Sequence, residues 1–460
     1  MNPHVVEIGY LVAAGLFILS LTWMSRPSTA RRGVIAGEIG MLLAIVGTLV
    51  LKQVVNYELI VVALLLGSAI GVPLAYLMPM TAIPQRTALS HAFGALAVSL
   101  IGTAEFLKLP GTGPSFVSGA LTFEMLLGLL TCTASLVAFC KLQEILPTRP
   151  IKFPGQSILN LAIFSTAAVG AVVLALEPQA NWLLWIFIAL ASAFGVLLVM
   201  PIGGADMPTV IALLNAYAGI AASAMGFALR NQLLIVTGAL DGASGFILAL
   251  IMCKAMNRSF SNVLFGGLGQ VAAPAPGAGQ RPVRSTSMED AALQLEHASR
   301  VVVVPGYGMA VAQAQHKVSE LYRSLTAKGV EVRFAIHPVA GRMPGHMNVL
   351  LAEANVPYDH LVEMDDVNGE MAAIDIALVI GANDVVNPAA RDPKSLIGGM
   401  PIIDVDHARQ VMVIKRGMNP GFAGIDNEIY YLDKTQMLFG DAKDFVSGMA
   451  KSLSGANGGH

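Results

Sequence analysis

Apolar residues fill roughly the first 255 positions in long blocks, and then the pattern changes. Nine stretches of about 20 mostly apolar residues, enough to cross a bilayer as helices, fall at 5–24, 33–51, 57–78, 86–107, 119–140, 157–176, 182–200, 208–229 and 232–252. Gly, Ala and Ser recur within them, which suits helices that pack backbone to backbone in lipid. From position 300 short apolar runs at 300–304, 330–336, 376–380, 401–404, 411–415 and 428–431 predict strands. Helical patterns at 309–327, 345–354, 366–373 and 441–453 alternate with them. Such alternation predicts a parallel sheet with helices on both faces. The fold class read from the pattern is a polytopic α-helical membrane bundle of about nine spans followed by a C-terminal α/β domain.

Between the halves, Gly266-Gly267-Leu268-Gly269 and Ala272-Ala273-Pro274-Ala275-Pro276-Gly277 have linker composition. Ser287 then opens a short amphipathic helix through about Ala298. The organisation predicted is a transmembrane domain over 1–258, a linker over 259–285 and a soluble domain over 286–460. Only 13% of residues are charged, against about 25% in ordinary soluble domains. The net charge of -2 gives no reason to expect a nucleic-acid partner. Cys132, Cys140 and Cys253 lie in apolar stretches without metal or disulfide spacing and read as small core residues; no metal site is expected. The start of the chain lacks a basic segment and a small-residue cleavage site, so its first apolar stretch reads as a retained span. Arg26, Arg31, Arg32, Arg86, Lys141, Arg149, Lys152, Lys254 and Arg258 fall on one side of the membrane, and Lys52, Lys108 and Arg230 on the other. The richer side is the cytoplasmic one. An odd number of spans then places the C-terminal half in the cytoplasm.

The chemistry concentrates where the soluble half begins. Val301–Val304 run into Pro305-Gly306-Tyr307-Gly308-Met309-Ala310-Val311, a strand followed by a Gly-x-Gly-x-x-Val turn and a helix. Glycines there allow a tight turn and close backbone approach to a dinucleotide pyrophosphate, so the domain reads as Rossmann-like. An NAD site of the usual kind has an acidic residue at the tip of the second strand. Here that strand ends Ala335-Ile336-His337-Pro338, without a carboxylate. Lys415-Arg416, at the end of a later strand, suit a 2′-phosphate, although a solvated basic pair on a loop has the same composition. Gly381-Ala382-Asn383-Asp384 follows the strand at 376–380. Asp384 is then either an active carboxylate in the ligand crevice or an Asx-type turn.

Ionisable residues inside spans are functional candidates by default. His91 titrates near neutral pH and suits a proton relay, or packs as a hydrogen-bonded core residue. Asn215 can position water or join helices. Glu124 and Asp241 either line a hydrated cavity or pair internally, and Asp206 either faces the cytoplasmic mouth of the eighth span or caps its helix. By themselves these residues fit two classes: an enzyme that couples nucleotide chemistry to ion movement, or a transporter or channel with a nucleotide-sensing domain.

The chain resembles the beta subunits of proton-translocating NAD(P) transhydrogenases along essentially its whole length. The resemblance rests on Ser90-His91, Gly203–Pro208, Leu234–Leu240, Met252–Phe260, Pro305–Gln315, His337–Asn348 and Gly381–Asp384. It implies an NADP(H)-binding C-terminal domain, with NAD(H) held on a separate alpha subunit and a dimer of alpha-beta units in a bacterial inner membrane. It also implies hydride transfer from NADH to NADP+ driven by inward proton flow. The nucleotide would lie flipped relative to ordinary dinucleotide folds, which accounts for the missing carboxylate. His91 and Asn215 match the proton path, Asp206 a cytoplasmic-side Asp, and Asp384 a coupling position. The implied cofactor-binding set is Gly306, Tyr307, Gly308, Met309, Ala310, Val311, Val339, Ala340, Gly341, Arg342, Gly381, Ala382, Asn383, Asp384, Lys415, Arg416, Gly421, Phe422, Gly440 and Asp441. Two departures stand out: Gly417 where the family commonly has Ser after the basic pair, and Phe422 where it commonly has Tyr.

Overall fold

The computed structural model describes residues 3–24, 29–50, 56–109, 114–147, 150–203, 206–255, 281–341, 345–393, 395, 397–419 and 425–454. The chain divides into two compact units, a helical one within residues 1–249 and a second that carries a sheet.

Among the described residues nine helices are long and apolar enough to span a membrane. They are α1 (Pro3–Met24), α2 (Ala30–Leu49), α3 (Tyr57–Leu77), α4 (Ile83–Leu107), α5 (Phe116–Leu142), α6 (Gln156–Leu176), α7 (Asn181–Val199), α8 (Met207–Ala228) and α9 (Gln232–Ala255). Each lies within three residues of its predicted span. The largest shifts have local causes. α5 starts early because Ser115 and Ser118 form a capping box ahead of the apolar run. The core of this unit gathers Leu121, Met125 and Leu130 of α5 with Ala171 and Leu174 of α6 and Leu184 and Phe187 of α7. At Gly195 of α7 a Cβ would come 2.2 Å from the Leu130 carbonyl oxygen, so the two backbones touch there. Thr133 ties the crossing by donating to the Ser192 carbonyl at 2.8 Å.

Lys141 is a buried cation at the end of α5, only 1% exposed. Its ammonium donates to the carbonyls of Val199 (3.1 Å), Met200 (2.6 Å) and Ile202 (2.7 Å). These carbonyls lie at and beyond the C-terminus of α7; Val199 also accepts from Ile202 N–H and Met200 from Ile151 N–H, and a side chain from a neighbouring helix completes the cap.

The second unit holds six parallel strands in the order β3-β2-β1-β4-β5-β6. They are β1 (Arg300–Pro305), β2 (Glu331–Ile336), β3 (Leu361–Glu363), β4 (Ile376–Ile380), β5 (Gln410–Lys415) and β6 (Thr435–Phe439). Helices α10 (Met288–His297), α11 (Tyr307–Val311), α12 (Gln315–Ala327), α13 (His346–Glu353), α14 (Met364–Glu370) and α15 (Ala442–Leu453) accompany them. Alternate residues feed two cores, as a sheet covered on both faces requires. Val301, Val303, Phe334, Leu378 and Ile414 pack under Leu295, Leu321 and Val446. Val302, Val304, Val379 and Val413 pack against Val367, Ile403 and Tyr430 on the other face.

Four points differ from the sequence reading. The run 401–404 is not a strand: Pro401 has no N–H, Ile403 donates to the Val385 carbonyl, and Ile402 accepts from Asn368 Nδ2. Its apolar side chains are buried over the sheet rather than paired within it. The run 428–431 is a 3-10 turn whose first residues are capped by the Asn427 side chain, and the strand follows at β6. The three-residue β3, too short to leave an apolar signature, was not expected and pairs at the edge with β2. The helix predicted over 309–327 is split. Gln313 turns left-handed (φ 50), and the Ala314 N–H reaches back to the Met309 carbonyl, a Schellman closure that ends α11 before α12 begins.

Candidate functional site

The order of the strands places a topological switch between β1 and β4, where connections leave in opposite directions and a crevice opens at the carboxyl ends. Two loops meet there with no room for side chains. Gly306 N–H donates to the Ile380 carbonyl and Gly308 N–H to the Gly381 carbonyl, both at 2.9 Å. A Cβ on Gly306 would come 2.4 Å from Ala382 Cα, and one on Gly308 would come 2.7 Å from Gly381 Cα. Gly381 itself has φ +66, a conformation that glycine adopts freely. The glycine turn predicted from the sequence is therefore locked to the loop after β4. Met309 and Ala310 have buried side chains, so they can offer a ligand only backbone. Tyr307 is half-buried against the core and Val311 is exposed.

Asn383 and Asp384 follow directly. Asn383 is held from behind: its Oδ1 accepts from Asn427 Nδ2 (3.1 Å) and from the Tyr430 hydroxyl (2.7 Å), and its carbonyl accepts from Asn427 Nδ2 (3.1 Å). Asn427 is fully buried and also accepts from Ile429 N–H. Asn387 continues the network, donating to the Asp426 carbonyl at 2.9 Å. These supporting residues were not singled out from the sequence, because 428–431 reads as a strand and Asn427 then looks like its flank. Burial pushes the Tyr430 hydroxyl above its ordinary range, and the Asp384 carboxylate adds to that.

Lys415 and Arg416 end β5 beside this loop. The Lys415 ammonium donates to the Asn419 carbonyl and lies 4.7 Å from the centre of the Tyr430 ring. Burial holds its pKa below the ordinary value, while Asp384 and Asp426 pull the other way. Arg416 pairs with Asp441 at 2.8 Å, and Asp441 also caps α15 by accepting from Lys443 N–H. The Gly440 N–H donates to the Lys415 carbonyl, and a Cβ there would come 2.3 Å from the Phe445 ring.

At the tip of β2, His337 is 1% exposed. Its Nδ1 accepts from Val339 N–H and its Nε2 donates to the Pro401 carbonyl at 2.7 Å, which fixes one neutral tautomer. Burial keeps its pKa below the usual histidine value. Ala340 is buried, and Gly341 (φ +105) has no space for a side chain beside His346. Arg342, Gly421 and Phe422 lie outside the described residues.

In the helical unit His91 (α4) and Asn215 (α8) come together, and Asp241 (α9) joins them. Asn215 lies beside the His91 side chain and donates from Nδ2 to Asp241 Oδ1 at 3.1 Å. A Cβ on Gly245 would come 2.9 Å from Asn215 Nδ2, so the glycine leaves room for the amide. Glu124 is fully buried on α5, facing Gly102 of α4. Asp206 directly precedes α8, its N–H donating to the Gly203 carbonyl.

Comparison with known proteins gives a consistent result. The family of NAD(P) transhydrogenase beta subunits matches residues 6–452. Two sequences named NAD(P) transhydrogenase subunit beta, both from Rhodospirillum rubrum, are each 48% identical over 466 residues. The alignments cover 99% of this chain and 100% of each relative.

Proposed function

This chain belongs to the NAD(P) transhydrogenase beta subunit family, and we propose that it binds NADP(H) and couples hydride transfer from NADH to NADP+ with inward proton translocation. The observation that carries this reading is the glycine-locked crevice between β1 and β4, with a basic pair at its rim, in a chain whose described residues include nine membrane-length helices. The donor set fits a 2′-phosphorylated dinucleotide. Gly306, Gly308 and Gly381 leave backbone free to approach a pyrophosphate, Lys415 and Arg416 supply positive charge, and no carboxylate stands at the tip of β2 to claim a ribose hydroxyl. His337 at that tip is committed to Pro401 and Val339.

NADP(H), when bound, supplies the nicotinamide that takes up or gives back hydride. No side chain here need act on the hydride itself; the protein's part is orientation and timing. Gly306–Val311, Val339–Arg342, Gly381–Asp384, Gly421, Phe422, Gly440 and Asp441 make up the nucleotide-binding set in this reading. Asn427 and Tyr430 hold Asn383 in place. Asp384 links the nucleotide to the membrane, where His91 and Asn215 carry the proton and Asp206 stands at the cytoplasmic end. A membrane potential of 100 mV supplies about 2.3 kcal/mol per proton moved. Linkage makes the coupling reciprocal, so nucleotide redox state alters proton affinity in the membrane cluster.

In this reading residues 1–258 form the proton-translocating domain, 259–285 the linker and 286–460 the NADP(H) domain. The partner is an alpha subunit that binds NAD(H). The complex is a dimer of alpha-beta units in the bacterial inner membrane, with the C-terminal domain in the cytoplasm. The test is turnover. Membranes holding this chain and its NAD-binding partner reduce an NADP analogue with NADH, and a Lys415→Ala/Arg416→Ala variant loses NADP(H) affinity at least about tenfold. Nucleotide binding without turnover in the native complex would instead indicate a sensor.

A further inference from the structure

His91 and Asn215 do not stand alone. We infer that Asp241 is a third working member of their cluster, a carboxylate held by the Asn215 amide that exchanges a proton with His91. This rests on the proton-translocating reading above.

Three helices contribute one polar group each: His91 from α4, Asn215 from α8 and Asp241 from α9. Asn215 donates to Asp241 Oδ1 at 3.1 Å and lies beside the His91 side chain, so one amide neighbours both titratable groups. An amide carries no charge of its own at neutral pH, but it offers a donor and an acceptor together. That is the connection a base and an acid need in order to be held in register. Between Met207 and Cys253 only Arg230 and Asp241 are charged. Arg230 lies eleven positions away, about 16 Å along a helix. Asp241 therefore finds its partners across the α8–α9 contact rather than along its own helix.

The contact is close. A Cβ on Gly219 would come 2.3 Å from Gly242 N, and one on Gly238 would come 2.5 Å from Ser223 N. The two backbones meet beside Asp241, which fixes where its carboxylate can reach. His91 and Asn215 are half-buried and Asp241 is exposed on its helix; polar and ionisable groups that sit within spans and have found partners in this way mark ion and proton routes.

The exchange balances. An N–H bond of the His91 imidazolium breaks and an O–H bond forms on the Asp241 carboxylate, leaving a neutral imidazole and a neutral acid. Net charge is zero before and after, so the internal step moves no net charge into the apolar surroundings.

The experiment uses proteoliposomes that hold the full chain with its NAD-binding partner. With the nucleotide domains facing outward, the reaction is run in reverse: NADPH reduces an NAD analogue, which in the proposed direction of coupling drives protons into the vesicles, and acidification inside is followed. Asp241→Asn can still accept the Asn215 bond through its amide oxygen, so it keeps the packing and removes only the acid. We expect it to slow proton-coupled turnover by about tenfold or more, while Asp241→Glu stays within about threefold of native. If Asp241→Asn fails to assemble, Asp241→Ser is compared with Asp241→Glu in its place. Native rates in the variant without the acid overturn the inference, and so does equal loss in the Glu variant, because that result makes the role one of packing. A native complex that transfers hydride without acidification removes the translocation reading itself, whatever the variants do.

Discussion

Gly417 follows the basic pair in open space: a Cβ there would meet no atom within 4 Å. Gly417→Ser thus adds a hydroxyl beside Lys415 and Arg416 without steric cost. One added hydrogen bond to a charged phosphate is worth about 1.5 kcal/mol, so NADPH binding measured by calorimetry should tighten roughly tenfold, with NADH binding unchanged. His337 gives a pH prediction. Burial lowers its pKa in the folded protein below the ordinary 6.5. The unfolded chain then binds the proton more readily, and stability falls as pH drops below 6.5 toward the folded value. Above 6.5 the residue adds no pH dependence. Thermal melts from pH 7.5 down to about 5 should show this decline, and His337→Gln should make it shallower. Residues of this kind differ in how visible they are. His91 and Asn215 stand out because polar groups are rare in spans. Asn427 does not, because a buried asparagine and a surface one look alike until its partners Asn383 and Ile429 are in place.

Among the elements, α5 and α7 show how one side chain can finish another helix. Replacing Lys141 with Leu takes away the charged donor shared by the carbonyls of Val199, Met200 and Ile202, of which the first two keep the backbone N–H groups of Ile202 and Ile151. Buried hydrogen bonds to a charged group are worth about 1.5–3 kcal/mol. Lys141→Leu should lower the detergent-solubilised melting temperature by several degrees, a loss of about 3 kcal/mol. Helix ends and strand positions also show where periodicity stops being informative. The nine apolar blocks mark the spans because nothing shorter satisfies a backbone across lipid. The apolar runs 401–404 and 428–431 mislead because burial alone does not require a ladder. Pro401 cannot donate, and Asn427 captures the Ile429 N–H that a strand would have offered. Strand β3 escaped notice because it takes its order from β2 rather than from its own three residues.

Across the whole molecule the basic residues divide unequally between the two ends of the apolar helices, and the orientation proposed above, with the richer side cytoplasmic, can be tested directly. In inside-out vesicles, protease should remove the C-terminal domain, while in right-side-out vesicles the domain should stay protected. The opposite pattern would reverse the assigned orientation and with it the direction of proton entry. By itself the sequence determined the number and position of the spans, the parallel α/β character of the second half and the glycine turn after β1. Each of these follows from local requirements: apolar length for a bilayer, period-two burial for a strand, and absence of Cβ where a chain turns sharply. Only the tertiary structure decided that Gly306 and Gly308 lock against Gly381, that Asn427 and Tyr430 brace Asn383, and that Asp241 meets Asn215. These are contacts between segments 26 to 75 positions apart. No local pattern encodes such pairings, because each depends on where helices and strands come to rest after they pack.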